Sequence, residues 1–216
     1  MSTTIVLLYD NEALEDPLIA DWGFAALIAD ESGERVLFDA GASGDILLHN
    51  ARALGEDLSS LTAVVLSHWH WDHAGGLAAV ARLSPEATYF VPSGADFEHA
   101  GVILHPVHQQ PVRISEHVWS TGVVAGMEQA VVVMSDTCPF LLTGCAHPGV
   151  PALLQAARSI ATPRGLLGGL HGFSEFDCLE GLTRVYPCHC TQRKQEILSR
   201  FPDKATACGA GLRVEV

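Results

Sequence analysis

Four side chains of types that commonly bind metal ions lie within six residues: His68, His70, Asp72 and His73. They directly follow residues 63–66, a brief apolar run with two valines that predicts a buried strand. Side chains at i and i+2 of an extended segment point the same way, so the first two imidazoles can face one ion. The aspartate and the last histidine then turn back and can face a second ion. Because neutral imidazole and carboxylate suit zinc, iron or manganese, this spacing indicates a dinuclear metal site.

The residues around this segment favour a tight loop. Gly75 and Gly76 have no side-chain bulk, which lets the loop bend closely before a helix begins near Leu77. Trp69 and Trp71 alternate with the histidines. They either line a pocket for a flat substrate or pack beneath the loop, and the sequence leaves both interpretations open.

The segment from His68 to His73 resembles the HxHxDH signature of the metallo-β-lactamase-fold hydrolases. Its flanking residues are similar to one branch of that superfamily, the proteins related to archaeal 7,8-dihydropterin-6-yl-methyl-4-(β-D-ribofuranosyl)aminobenzene 5′-phosphate synthase. Further matches to this branch are Asp10-Asn11, the turns at 143–149 and 168–171, and His189-Cys190-Thr191. The resemblance implies an α/β fold, a metallo-β-lactamase-type αββα sandwich of two mixed β-sheets with outer helices, formed by residues 1–216 as a single domain.

The resemblance also implies which residues bind the two divalent ions. It assigns His68, His70 and His147 to one ion, and Asp72, His73 and His189 to the other. Zinc is the first candidate for both ions, with manganese and iron as alternatives. Asp72 is in addition the candidate catalytic residue, because its carboxylate can orient the attacking water while it binds the metal.

Three further residues follow predicted strands and are candidates for supporting roles. Asp39 matches the aspartate of an F-D-x-G turn, which in the superfamily braces the histidine loop, so we expect it to orient metal-binding imidazoles without touching the ion. Cys145 stands where many relatives have an aspartate that bridges both metals. It either ligates a metal or packs as a small buried residue. His171 is either a substrate-binding group or a buried structural histidine.

Two other sets of cysteines and histidines contain residue types that can bind metal ions. A small zinc knuckle at Cys188 and Cys190 is an alternative interpretation, although no second pair follows at a suitable spacing. His99, His105 and His108 show no regular spacing, and we expect them to be loop and surface residues.

Composition places the chain among globular proteins. Of its 216 residues 48% are hydrophobic and 17% charged, which suits a large core and argues against disorder. The net charge of −13 argues against a nucleic-acid partner. A small anionic substrate remains compatible with it, because two bound cations reverse the local field. Without a basic N-terminal region or a long apolar run, we expect a cytoplasmic protein with no membrane segment and with its six cysteines reduced.

Hydrophobic periodicity and turn residues predict an alternation of strands and helices. The expected strands are 4–9, 22–29, 35–38, 63–66, 87–91, 131–134, 139–143, 166–170 and 208–216. The expected helices are 44–54, 77–83, 148–160 and 191–200, the last with Thr191 as its N-cap. Residues 92–110 are expected to form a loop. Strands that alternate with outer helices favour mixed sheets.

A dinuclear site of this kind lowers the pKa of bound water and polarises a phosphoryl or carbonyl oxygen. The expected function is therefore that of a metal-dependent hydrolase or related transferase acting on a small phosphoester or diphosphate, pterin-linked in the branch that the chain resembles. A thioester or lactone hydrolase is the first alternative. A metal- or ligand-binding module without turnover is the second. The sequence is compatible with a monomer and with a homodimer.

Overall fold

A computed structural model describes residues 3–94 and 102–216. It divides into two compact units, unit 1 with Met1–His108 and Gly209–Glu215, and unit 2 with Gln109–Cys208 and Val216. Each unit contains one mixed sheet and its own helices. In the described part of the chain, no helix has the length and apolar character needed to cross a membrane.

The described residues form thirteen strands and five α-helices. The strands are β1 (Thr3–Tyr9), β2 (Ala25–Asp30), β3 (Arg35–Phe38), β4 (Ala63–Val65), β5 (Thr88–Pro92), β6 (Ile103–Val107), β7 (Val112–Arg113), β8 (Val118–Val124), β9 (Glu128–Val133), β10 (Phe140–Thr143), β11 (Gly165–Gly169), β12 (Arg184–Cys188) and β13 (Arg213–Glu215). The helices are α1 (Gly44–Ala53), α2 (Trp71–Ala74), α3 (Leu77–Leu83), α4 (Val150–Ala157) and α5 (Lys194–Arg200), and 3-10 turns span Leu58–Ser60 and Phe176–Leu179.

The sheet of unit 1 has the strand order β13-β1-β2-β3-β4-β5-β6. Its pairs from β13 to β3 are antiparallel, and its pairs from β3 to β6 are parallel. Because β3 and β4 are parallel neighbours, the loops that follow them leave the same edge of the sheet. These loops carry Asp39 and Ser67-His68, so the topology brings a carboxylate next to the histidine segment.

Close backbone packing fixes the histidine segment of unit 1. A Cβ atom on Gly75 would overlap the carbonyl oxygen of Ala42, and one on Gly76 would overlap that of Ala40. The backbone of this loop is further held by a 2.8 Å hydrogen bond from Ala40 N to His73 O. The two glycines therefore serve the close approach that the sequence predicts for them.

The sheet of unit 2 has the strand order β12-β11-β10-β9-β8-β7. The pairs from β10 to β12 are parallel and those from β7 to β10 antiparallel. The carboxyl ends of the three parallel strands therefore lie at one edge, where they deliver three turns. These turns contain His147, His171 and His189 respectively. A second apolar core, including Leu153 and Leu166, packs helix α4 against this sheet.

Most strands and helices lie where the sequence predicts them, with changed ends. Strand β2 begins at Ala25 rather than Trp22, and the last strand is limited to Arg213–Glu215. The sequence missed β7, β8, β12 and the short helix α2. It also missed β6, which contains His105 within the region expected to be a loop. The side chains of His105 and His108 are exposed as expected, whereas His99 lies outside the described residues.

The expected N-cap of the last helix is wrong. Helix α5 begins at Lys194, with Arg193 at the N-cap position. The Thr191 hydroxyl instead donates to the Cys188 carbonyl at 2.6 Å and accepts from the Leu170 amide at 3.0 Å. The Thr191 hydroxyl thus links two neighbouring turns and does not cap helix α5.

The expectation of six reduced cysteines is also wrong for one pair. Cys188 and Cys208 form a disulfide within unit 2, while Cys138, Cys145, Cys178 and Cys190 are not disulfide-bonded. The disulfide occupies the sulfur of Cys188. A zinc knuckle that combines Cys188 with Cys190 is therefore excluded in this structure.

Candidate metal centre

The first two histidines of the segment converge within unit 1. His68 is buried, and its Nε2 lies 3.0 Å from Nδ1 of the exposed His70. On its other side, His68 Nδ1 lies 2.9 Å from the Ser67 hydroxyl. Two ring nitrogens at this separation can share one ion between them, as the i, i+2 spacing predicts.

Asp72 and His73 are presented by α2, which the sequence did not predict. Both side chains are buried, and His73 Nε2 lies 3.8 Å from Asp72 Oδ2. A single helical turn following the extended loop reverses the chain direction. This turn places the second pair of donors beside the first, with the His68 and His73 ring centroids 4.2 Å apart.

A fully buried carboxylate lies behind these histidines. Asp39 Oδ2 is 2.7 Å from His73 Nδ1 and accepts a 2.7 Å hydrogen bond from the Ser67 hydroxyl, while Oδ1 accepts from the Ser67 amide. The carboxylate favours the tautomer of His73 with its proton on Nδ1, which leaves the Nε2 lone pair for a metal. Asp39 thus has the surroundings that its expected orienting role requires.

Trp22 contacts the candidate catalytic residue, and sequence reasoning missed it. Its indole N–H donates a 2.8 Å hydrogen bond to Asp72 Oδ2. The ring is half exposed, and the signal that could have identified it is its position immediately before Gly23. A Cβ at Gly23 would lie 2.7 Å from the Asp72 carbonyl oxygen, so the glycine permits this close approach. The two tryptophans of the histidine segment differ: Trp71 is 65% exposed, whereas Trp69 packs against the core of unit 1.

A second buried carboxylate organises the turn after β10 in unit 2. Glu128 Oε1 accepts hydrogen bonds from the amides of Gly144, Cys145 and Ala146, and Oε2 accepts one from the amide of His147, at 2.9–3.2 Å. Sequence reasoning missed Glu128. Its signal is a charged residue at the start of a strand that ends in an apolar run, where a fully buried carboxylate must find donors.

His147 and His171 face a common cavity in unit 2. Their ring centroids are 5.2 Å apart, and the cavity has a volume of about 310 Å³. Phe173 and Glu175 also line it. The cavity therefore offers two imidazoles, an aromatic face and one carboxylate to a ligand, which suits a small molecule rather than a macromolecule.

The remaining candidates in unit 2, Cys145 and His189, lie close to Cys190. One donor atom from each of the three residues lies within 4.8 Å of the other two. Cys145 and His189 are buried, each with 4% of its surface exposed. Sequence reasoning did not assign Cys190 to this group.

Several residues at these turns hold a left-handed backbone conformation. Asp39, Ala146, His171 and His189 have φ between 43° and 60°. Such a conformation costs a residue with a side chain on the order of 1–3 kcal/mol and persists where local contacts over-determine it. The turns are therefore fixed by contacts such as those of Asp39 and Glu128 rather than by backbone preference.

The donor sets fit transition-metal ions. Unit 1 offers three imidazoles and one carboxylate, with a carboxylate behind one imidazole as at many metal-binding histidines. Unit 2 offers further imidazoles and two thiols. Nitrogen, sulfur and carboxylate ligands together suit zinc, iron and related ions better than magnesium or calcium.

Comparison with known proteins agrees with the sequence motif. The model of the metallo-beta-lactamase superfamily matches residues 23–112, which include the histidine segment. The crystal structure of Tm1679, a metal-dependent hydrolase of the beta-lactamase superfamily, superimposes with a TM-score of 0.77 at 26% identity and covers 99% of both chains.

Two curated relatives are also similar in sequence. A 7,8-dihydropterin-6-methyl-4-(beta-D-ribofuranosyl)-aminobenzene-5'-phosphate synthase of Methanocaldococcus jannaschii is 19% identical, over 88% of this chain and 87% of its own. A hydroxyacylglutathione hydrolase-like protein of Bos taurus is 28% identical, over 69% of this chain and 80% of its own. This chain therefore has the metallo-β-lactamase fold, and its sequence is similar to the hydrolase superfamily that carries the fold.

Proposed function

We propose that the chain is a metal-dependent hydrolase or a related transferase. It binds two divalent metal ions, and zinc is the first candidate for both. His68, His70 and His147 bind one ion, and Asp72, His73 and His189 bind the other. The observation that carries the proposal is the arrangement inside unit 1, where four donors converge and a buried carboxylate orients one of them. Histidines that serve only the packing of the fold do not require a carboxylate that holds one imidazole in a fixed orientation.

The bound ions supply a water of lowered pKa and a positive field for the developing charge. The chain's own residues supply orientation. Asp72 accepts a hydrogen bond from Trp22 on Oδ2, so one oxygen of its carboxylate is fixed. Asp39 holds the ring of His73, and Glu128 holds the turn that carries His147. Asp72, His73 and His147 are thus each positioned by a group that does not itself bind the metal.

The proposed substrate is a small phosphoester or diphosphate, and a pterin-linked one is the first candidate. The relative named as a dihydropterin-linked phosphate synthase supports this choice. With a net charge of −13 the chain depends on its ions to attract an anion. His171, which faces the cavity beside His147, is the proposed substrate-binding residue. The flat face of Phe173 in the same cavity suits an aromatic group.

Thioester hydrolysis is the second candidate function. The relative named as hydroxyacylglutathione hydrolase-like favours it, being 28% identical over more than two thirds of this chain. The same ions that polarise a phosphoryl oxygen also polarise a thioester carbonyl.

Parallel substrate assays test the proposal. Metal-loaded protein is assayed with an aryl phosphodiester, a pterin methyl diphosphate and an acylglutathione thioester, beside the His70→Ala variant. We expect turnover of a phosphorus substrate that the variant loses. Turnover of the thioester alone would favour the second candidate. No turnover of any substrate by protein with two bound ions would leave the chain as a binding module and would contradict the proposal.

A further inference from the structure

Unit 2 brings two thiols that lie outside the disulfide together beside a buried imidazole. Cys145 Sγ and Cys190 Sγ are 3.3 Å apart, and the donor atoms of Cys145, His189 and Cys190 all lie within 4.8 Å of one another. We infer that these three residues form a binding site for a thiophilic metal ion such as zinc, in which the ion held by His189 takes both sulfurs as ligands. The inference uses residues of unit 2 alone; it rests on the proposed function for the ion at His189, but not on turnover of a substrate.

The distances between the donor atoms of these residues suit the binding of one shared metal ion. Zinc–sulfur bonds of about 2.3 Å at a tetrahedral angle place two sulfur ligands about 3.8 Å apart. The two thiols are therefore within about half an ångström of the spacing that a shared ion requires. When the ion binds, both thiols lose their protons to solvent and two metal–sulfur bonds form, so no oxidant or reductant is needed.

The surrounding structure fixes this arrangement. Cys145 lies in the turn whose four amides donate to Glu128, and its own amide donates at 3.1 Å. Gly169 on the neighbouring strand leaves the necessary space, because a Cβ there would lie 2.7 Å from Cys190 Sγ. The left-handed φ of 43° at His189 shows a turn held against its backbone preference.

The disulfide explains why Cys190 rather than Cys188 belongs to this site. Both cysteines flank His189 in the sequence, but Cys188 is bonded to Cys208. Of the two, Cys190 thus retains its thiol. A soft ligand set selects zinc, cadmium or cobalt over magnesium and manganese. The proposal therefore predicts the identity of the ion as well as its position.

Absorption spectroscopy with cobalt and cadmium tests the site. Chelator-treated protein under a phosphine reductant is titrated with each ion, and the near-ultraviolet sulfur-to-metal charge-transfer band is followed. We expect the band in the native sequence, its strong reduction in Cys145→Ser and Cys190→Ser, and a loss of cadmium affinity of at least about 10- to 100-fold in His189→Ala.

Cys178→Ser is the matched control. Burial, with the nearby Glu175 and Asp177 carboxylates, raises the pKa of the Cys178 thiol to about 11, so it stays protonated at neutral pH. Its replacement should leave the band unchanged. Circular dichroism verifies that each variant is folded. If the native protein, with both thiols reactive toward a thiol reagent, gives no band, the proposal is wrong. A band that persists at full strength in both Cys145→Ser and Cys190→Ser would overturn it equally.

Discussion

Replacing Asp72 by Asn is expected to reduce kcat on the order of 10³-fold, because the change removes the anionic ligand of the proposed second ion. The Asp72 carboxylate has one oxygen held by the Trp22 indole and lies 3.8 Å from His73 Nε2. Asn keeps the size and the hydrogen-bond acceptor but loses the charge. Steady-state kinetics with the substrate found in the assays above, accompanied by metal analysis of the variant, measure the effect.

Asp136→Asn is the matched control for this substitution. Asp136 is an exposed residue between β9 and β10, and the same chemical change there should leave kcat within about twofold, as expected of a surface substitution. An Asp72→Asn variant with native kcat and native metal content would contradict the role proposed for this carboxylate. Equal losses in both variants would point to a general effect on the protein instead.

The largest effect on stability is expected at Glu128. Its carboxylate is fully buried and accepts four backbone hydrogen bonds from residues 144–147. Glu128→Gln keeps one oxygen but sets an amide N–H against an N–H donor, which should cost about 2 kcal/mol of unfolding free energy. Glu128→Ala leaves all four amides unsatisfied and should cost about 4 kcal/mol or more. Urea denaturation followed by circular dichroism measures both.

Glu180→Gln, at an exposed position of unit 2, provides the control and should change the unfolding free energy by less than about 0.5 kcal/mol. The order of the three variants is the critical result. If Glu128→Ala were as stable as the control, the four hydrogen bonds would have no structural importance. Loss of stability should be accompanied by weaker metal binding, because the same turn carries His147.

The sequence predicts the parts of this fold whose signals are local. An apolar run followed by polar ligands predicted β4 and its loop. The two glycines that precede Leu77 predicted where α3 begins. Strand β7 has only two residues, too few for an alternating pattern, and the edge strand β6 depends on its pairing with β5, which a local pattern does not reveal. Helix α2 has only four residues, too few for a period to be recognised.

The candidate site also combines features that local sequence signals predict with contacts between distant residues that they do not predict. The ligand types and their spacing identify the histidine segment, and the resemblance adds His147 and His189 from distant parts of the chain. Supporting contacts were visible only in three dimensions. Glu128 is 16 residues from the first amide that it binds, and Trp22 is 50 residues from Asp72. Thr191 was misassigned because a threonine before a helix has the same sequence signal whether it caps the helix or bonds a neighbouring turn.

The most direct test of the central proposal is the metal content of the protein. Protein purified without chelators, and with a reductant present, is analysed by inductively coupled plasma mass spectrometry against its measured concentration. We expect about two transition-metal ions per chain, mainly zinc, in the native protein and about one in the Asp72→Asn variant. One ion or none in the native protein, unchanged after zinc, manganese or iron is added, would contradict the dinuclear site.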